Sequence, residues 1–322
     1  VTRLGDRAAD SSGMALLVTL FMVVILAVLV HRFTFTTRVH LASAGNVRDQ
    51  LQAECLAISG VEAALYLLEQ DDTPDVDHAG EPWALLRQSA EIESLQGMEG
   101  AFAVQVTDES DKIDVNRLVR EDGSTTDEFI HRQLDRLLEI FGVPSDQRDA
   151  MLDCLEDWLD RDDLNKLNGA ENAYYERLDR PYSARNGPLR TLGEINLVKG
   201  WGEILEARLK DGSVLADFLT VSPTDGRINV NTASAVVLQT LSPEIDEALA
   251  SQVISLRQET PLAGPQLLPD PFRKRGVASR IRFNSGLFSI RSEGLYRRAV
   301  ARADVLVKRE TDQLRVIGRR VQ

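Results

Sequence analysis

The chain has 322 residues, 43% of them hydrophobic and 27% charged, enough to fold one or two ordinary domains. This composition excludes a wholly disordered chain. A formal charge of −13 repels phosphate backbones and argues against a general nucleic-acid binder.

The first element is SSGMALLVTLFMVVILAVLVHRF, Ser11 to Phe33, in which about seventeen apolar residues follow Gly13 almost unbroken. As a helix, Met14 to Val30 spans about 25 Å and extension to Phe35 gives about 33 Å, close to one bilayer core. A secretory signal has a shorter apolar core with its small residues directly behind it. Here the Ala42-Ser43-Ala44 triplet lies well beyond the run, so a membrane anchor is the better reading. Arg3 and Arg7 before the run compete with Arg32 and Arg38 after it, so positive charge does little to set orientation.

Beyond the run, Val47, Leu51, Cys55, Ile58, Val61, Leu65 and Leu68 recur at spacings of three and four, predicting the buried stripe of an amphipathic helix. No proline interrupts Met14 to Asp72. The spacing therefore predicts one rod of about 85 Å, passing from the membrane into a soluble domain. Of the two cysteines, Cys55 lies on that stripe, and Cys55 and Cys154 read as separate small core residues, with one bridge as the alternative.

AFAVQVTDESDKIDVNRLV, residues 101–119, alternates, turns through Asp108–Asp111 and resumes, predicting a hairpin or two short strands. Phe129–Phe141 and Ala150–Leu159 carry helical periodicity. Thr191-Leu192-Gly193-Glu194 reads as a capping box opening a further helix. Asn231 or Thr232 starts TASAVVLQTL, and Ser242-Pro243 caps the helix after it. Strands return at Leu287–Ser292 and over 299–308. Sheet signals on both sides of a helical block predict an α+β head carrying an inserted all-α domain.

LEDWLDRDDLNKLNGAENAYYERL, Leu155 to Leu178, is the densest acidic stretch. Asp160, Asp162 and Glu171 fall at the first, third and twelfth positions of a calcium-loop template. Leu164 and Asn165 occupy the fifth and sixth, where an EF-hand needs an oxygen ligand and glycine, so this is no EF-hand. INVNTASAVVLQTLSPEIDEALASQVISLR, Ile228 to Arg257, resembles half of a helix-hairpin-helix module, but its Leu241–Ile245 hairpin lacks glycine and carries Glu244. Packing scaffold is the better reading, with a membrane-anchored DNA-uptake receptor as the alternative. His31, His40, His78 and His131 join no triad or HExxH motif, and Ser110 lacks a nucleophile elbow's glycine frame. The expectation is a non-enzyme.

A polar leader ending in glycine, an apolar start directly behind it and a long helix entering a globular head resemble type IV pilins and pseudopilins. In that family a prepilin peptidase cuts after the glycine, here Gly13, and the new amino terminus, here Met14, is methylated. Most family members carry glutamate as the fifth mature residue, where this chain has Val18. A carboxylate in the membrane costs roughly 2.5–3.5 kcal/mol without a partner. In the family that partner is the amino terminus of the subunit above, so a tip subunit gains nothing from it. The member without this glutamate, and unusually long, is the type II secretion minor pseudopilin K, to which residues 104–118, 153–200, 225–239 and 286–309 are also similar.

That resemblance implies a leader (1–13), a membrane-spanning part of the long helix (14–35) and the first part of a pilin-like head (36–119). An inserted all-α domain with helix-hairpin-helix-like units (120–280) and strands completing the head (281–322) follow. It implies structural calcium on some of the acids, for which Asp157, Asp160, Asp162 and Glu171 are the candidates, with Asp163 and Asn172 in reserve. It further implies a single-pass inner-membrane protein with a periplasmic body. Its partners would be minor pseudopilins I and J, other pseudopilins, the prepilin peptidase and inner-membrane lipid, with no nucleic acid. Its work would be to start and cap the pseudopilus that exports proteins across the outer membrane.

Overall fold

The computed structural model describes residues 11–86, 99–202, 204–310 and 313–322. Residues 1–10 of the expected leader lie outside them.

Helix α1 (Ser11–Glu69) is a single helix of 59 residues, about 88 Å long. A short helix α2 (Pro82–Leu85) and strand β1 (Ala101–Asp108) follow, then β2 (Ile113–Asp114). Helices α3 (Glu128–Ile140) and α4 (Ser145–Leu159) come next, and then α5 (Asn172–Tyr175), β3 (Leu219–Thr220) and β4 (Ile228–Asn229). Helices α6 (Ala235–Thr240), α7 (Glu247–Glu259), α8 (Asp270–Arg273) and α9 (Arg275–Ala278) precede β5 (Ile281–Arg282). Three long strands close the chain: β6 (Leu287–Tyr296), β7 (Ala299–Glu310) and β8 (Gln313–Val321).

The head is an antiparallel sheet of order β1-β6-β7-β8 with α1 laid across one face. Residues 101–119 form two strands, β1 and β2, rather than a hairpin. β1 pairs along its length with β6, from Ala101 opposite Leu295 to Asp108 opposite Phe288, while β2 leaves the sheet and pairs in parallel with β3. The alternation was real, but its partner lies far along the chain. The alternating residues Val104 and Val106, Phe288 and Ile290, and Ala301, Ala303, Val305 and Val307 all turn toward α1.

The buried stripe of α1 is not the one its large residues suggest. Val61 and Leu68 are buried and Ile58 and Leu65 half-buried, but Val47, Leu51 and Cys55 are exposed. The helix instead seats Ala53, Ala57, Gly60 and Ala64 on the sheet. The reason is how closely β6 passes. A Cβ on Gly294 would lie 2.1 Å from the Ala53 carbonyl oxygen and 2.4 Å from the Ala57 nitrogen, and one on Gly60 would lie 2.2 Å from Ser292 Oγ. Only small side chains allow that approach. Both cysteines are free thiols; Cys154 is buried, but Cys55 is not a core residue.

A second, larger core is drawn from Ile113 to Ile281 and includes α3, α4, α6 and α7 side chains. Besides helices it holds the two-residue parallel pairs β2–β3 and β4–β5. Three helix starts differ from expectation. Thr191 makes no side-chain cap, and Leu192–Leu197 is a 3-10 turn whose Glu194 accepts from the Arg190 N–H. Helix α6 begins at Ser234, whose hydroxyl caps Val237, because Asn231 spends its side chain on Leu262 and Phe283. Asp246, not Ser242, caps α7.

The two lobes meet at a buried polar joint where the chain leaves and re-enters the head. Asp108 Oδ2 accepts from Ser285 Oγ (2.5 Å), Thr232 Oγ1 (2.7 Å) and Asn229 Nδ2 (3.3 Å). Beside it, Asp77 accepts from the Ser285 N–H (2.6 Å) and from Arg309 Nη1 (2.6 and 2.7 Å). Each donor is matched to an acceptor, as buried polar groups require.

Gly294→Val places side-chain atoms inside backbone of α1. Overpacking of this kind costs about 1–3 kcal/mol or more. The variant is expected to lower the midpoint of thermal unfolding of the detergent-solubilised chain by several degrees. Exposed Arg291→Val on the same strand serves as the control, and equal midpoints for the two would contradict the close approach.

Candidate functional site

The acidic stretch acquires its geometry from α4. Asp153, Glu156, Asp157 and Asp160 stand at i, i+3, i+4 and i+7, one face of the helix and its C-cap. The loop after Asp160 folds back over that face and is sewn to it. Asp153 Oδ2 accepts from Asn168 N–H and Nδ2, both at 3.0 Å. Glu156 pairs with Lys166 Nζ at 2.6 Å and accepts from Thr126 Oγ1 at 2.8 Å. Asp157 accepts the Lys166 N–H at 3.1 and 3.2 Å. Gly169 is required there, because a Cβ would come within 1.9 Å of Asp157 Oδ2.

Folding the loop back brings Glu171 onto the helix face. Asp157, Asp160 and Glu171 are all buried and offer one oxygen each within 4.8 Å of one another. Asp160 Oδ1 and both carboxylate oxygens of Glu171 are buried with no hydrogen-bond partner. Burial, then the charges of Asp157 and Asp160, pushes Glu171 up to about 8. Burial, then Asp162 and Asp157, pushes Asp160 up to about 6, and burial raises Asp157. Three crowded carboxylates with unsatisfied oxygens form a donor set of the type a hard divalent cation takes.

The other candidates lie outside this trio. Asp162 is exposed and accepts from the Leu164 N–H at 2.8 Å. Asp163 accepts from Asn172 Nδ2 at 2.8 Å and Asn186 Nδ2 at 3.2 Å. Asn172 Oδ1 accepts from the Ala184 N–H, so both ends of that amide hold loops together. Sequence reasoning missed Asp153 and Glu156, the residues that anchor the loop. Their signal was the helical spacing to Asp157 and Asp160.

Helix α1 supplies the second functional element. Its apolar half is long enough and apolar enough to cross a membrane. Side chains from Met14 through Val30 are exposed, with nothing of the head packed against them. Gly13, Met14 and Val18 all lie in the first two turns of this helix. At the helix-hairpin-helix-like stretch, Leu241 and Ile245 are buried, and Glu244 is paired with Lys274. The hairpin thus presents a carboxylate already bound to an amine.

The family described as type II secretion system (T2SS), protein K matches the chain in two parts, at residues 111–212 and 228–268. These parts contain the acid-bearing α4, its loop and the α6–α7 pair. The type II secretion system protein K of Pseudomonas aeruginosa is 29% identical over 254 residues, covering 76% of this chain and 72% of that protein. Its namesake from Klebsiella pneumoniae is 27% identical over 256 residues, covering 77% and 76%. Among solved structures, a chain in the crystal structure of the GspK–GspI–GspJ complex from the enterotoxigenic Escherichia coli type 2 secretion system shares the fold. The TM-score is 0.61 at 20% identity, covering 89% of this chain and 99% of that one. The long helix on an antiparallel sheet is therefore a pilin-like fold. With the family match over the helical lobe and relatives that extend along most of its length, the chain is similar to the type II secretion system protein K family.

Proposed function

We propose that the chain is a minor pseudopilin that occupies the tip of the type II secretion pseudopilus, where it helps to start and to cap assembly. The observation that carries this is α1: one unbroken helix whose first half is bare and apolar and whose second half is locked to the head. Such a rod packs beside like helices in a bundle while holding the head at a fixed height. Val18 supports the terminal place, since a subunit with none above it has no amino terminus to pair with a membrane carboxylate. The inserted lobe, outside the pilin-like head, would obstruct stacking of a further subunit.

The structural relative comes from a complex with GspI and GspJ, and minor pseudopilins of those two kinds are the partners proposed here. The anchor would lie in the inner membrane with the body in the periplasm, and a prepilin peptidase would cut between Gly13 and Met14 and methylate Met14. One preparation tests both processing and position. Intact mass of the membrane-extracted chain is expected to begin at methylated Met14, and gold-labelled antibody against the inserted lobe to mark one end of each filament. Retention of residues 1–13, or gold along the shaft, would contradict the proposal.

Calcium is the cation proposed for the acid trio. Asp157, Asp160 and Glu171 would hold it, with Asp162 and Asp163 adding negative potential from the loop. It would neutralise the buried charges and fix the loop on α4, a structural role. A site filled at a hundred times its dissociation constant stabilises the fold by about 2.7 kcal/mol. Calcium is therefore expected to raise the unfolding midpoint of the chelator-treated chain. With its pKa raised to about 8, Glu171 is mostly neutral without metal at pH 7. Glu171→Gln mimics that form, so the metal-free variant should be about as stable as the parent but gain nothing from calcium. An equal calcium gain in parent and variant would refute the assignment.

A further inference from the structure

Strand β8 is the outermost strand of the head sheet, and among the described residues only β7 pairs with it. Nine residues make it long for a free edge. Arg302 and Gln322 exchange both backbone hydrogen bonds, at 2.8 and 2.9 Å. Antiparallel alternation then makes Asp304–Arg320 a hydrogen-bonded pair and leaves the N–H and C=O of Arg319 and Val321 directed away from β7. The edge also exposes apolar surface at Val316, Ile317 and Val321.

Its charge selects the partner. Arg315, Arg319 and Arg320 are all exposed in a chain of net charge −13. Arg315 reaches Glu310 at 3.6 Å, whereas Arg319 and Arg320 join no ion pair among the described residues. Asp304, opposite Arg320, is already held by Arg291 at 3.0 Å. A second copy of β8 would set arginine against arginine, which destabilises a cross-strand pair. Arg319 lies opposite Val305 on the α1 face, whereas Arg315 and Arg320 lie opposite Lys308 and Asp304 on the other. An extended segment with glutamate or aspartate along either face therefore meets at least one arginine and gains both the backbone ladder and the charge match.

We infer that β8 is a docking edge that takes an acidic extended segment of another protein as a fifth antiparallel strand. The test uses the full chain in detergent and, as probe, a fluorescent ten-residue peptide in which glutamate alternates with valine and threonine. Saturable binding is expected, with slowed amide exchange at Arg319 and Val321. The same peptide with lysine for glutamate should bind at least tenfold more weakly. Arg319→Glu/Arg320→Glu should weaken the acidic peptide at least tenfold, and Arg319→Pro, which removes an edge N–H, should abolish its binding. Circular dichroism establishes that each variant folds, and the two-peptide comparison on the parent chain decides the matter if one does not. Equal binding of both peptides, exchange protection elsewhere, or dimerisation of the chain through β8 would overturn the inference.

Discussion

The close seating of α1 on strand β6 is the contact on which the rest of the molecule depends. Where Ala53, Ala57 and Gly60 meet Ser292 and Gly294, the chains approach so closely that there is no room for another methyl group. Such a contact has little freedom to slide or roll, because any shift brings a Cβ into an amide. Alanine and glycine bury little apolar area, so specificity here comes from shape more than from hydrophobic gain. Large side chains left over from this arrangement, Val47 and Leu51 among them, face outward. They extend the bare apolar surface of the membrane half toward the head.

Buried carboxylates recur in both lobes, and the contrast between them is instructive. In the head, Asp77 and Asp71 both reach Arg309, and Glu81 accepts from the Trp83 indole. Burial still pushes Asp77 up to about 6, yet its oxygens all have partners. In the inserted lobe, the nearby amine of Lys166 goes to Glu156 instead, and Asp160 and Glu171 are left with unpaired oxygens. A protein cation closes the first cluster. The second has the composition of a cluster closed by an ion from solution.

Much of this was legible in the sequence, and the exceptions share causes. The apolar run, the absence of proline and the alternation over β6 and β7 directly encode a rod and two half-buried strands. Strand β8 gave no signal because an edge strand exposed on both faces has no alternation to read. The face of α1 was misassigned because hydrophobic size does not register a contact made by alanine and glycine. Thr191 and Ser242 have cap chemistry, but Leu192–Leu197 winds only as a 3-10 turn, and α7 starts later, at the Asp246 cap. Asp162 sits at a ligand position of a linear template, yet α4 ends at Leu159 and the loop carries Asp162 out to solvent, while helical spacing gathers the residues that matter.

If α1 is one stiff element, its apolar half fixes the orientation of the head. Spin labels on native Cys55 and on a cysteine replacing Val30, with Cys154→Ser, measure this directly by pulsed dipolar spectroscopy in lipid nanodiscs. Twenty-five residues at 1.5 Å each set the labels about 38 Å apart, within label reach, and the account predicts a narrow distribution there. A broad distribution, or one centred well short of that distance, would mean a break in the helix and would contradict the account.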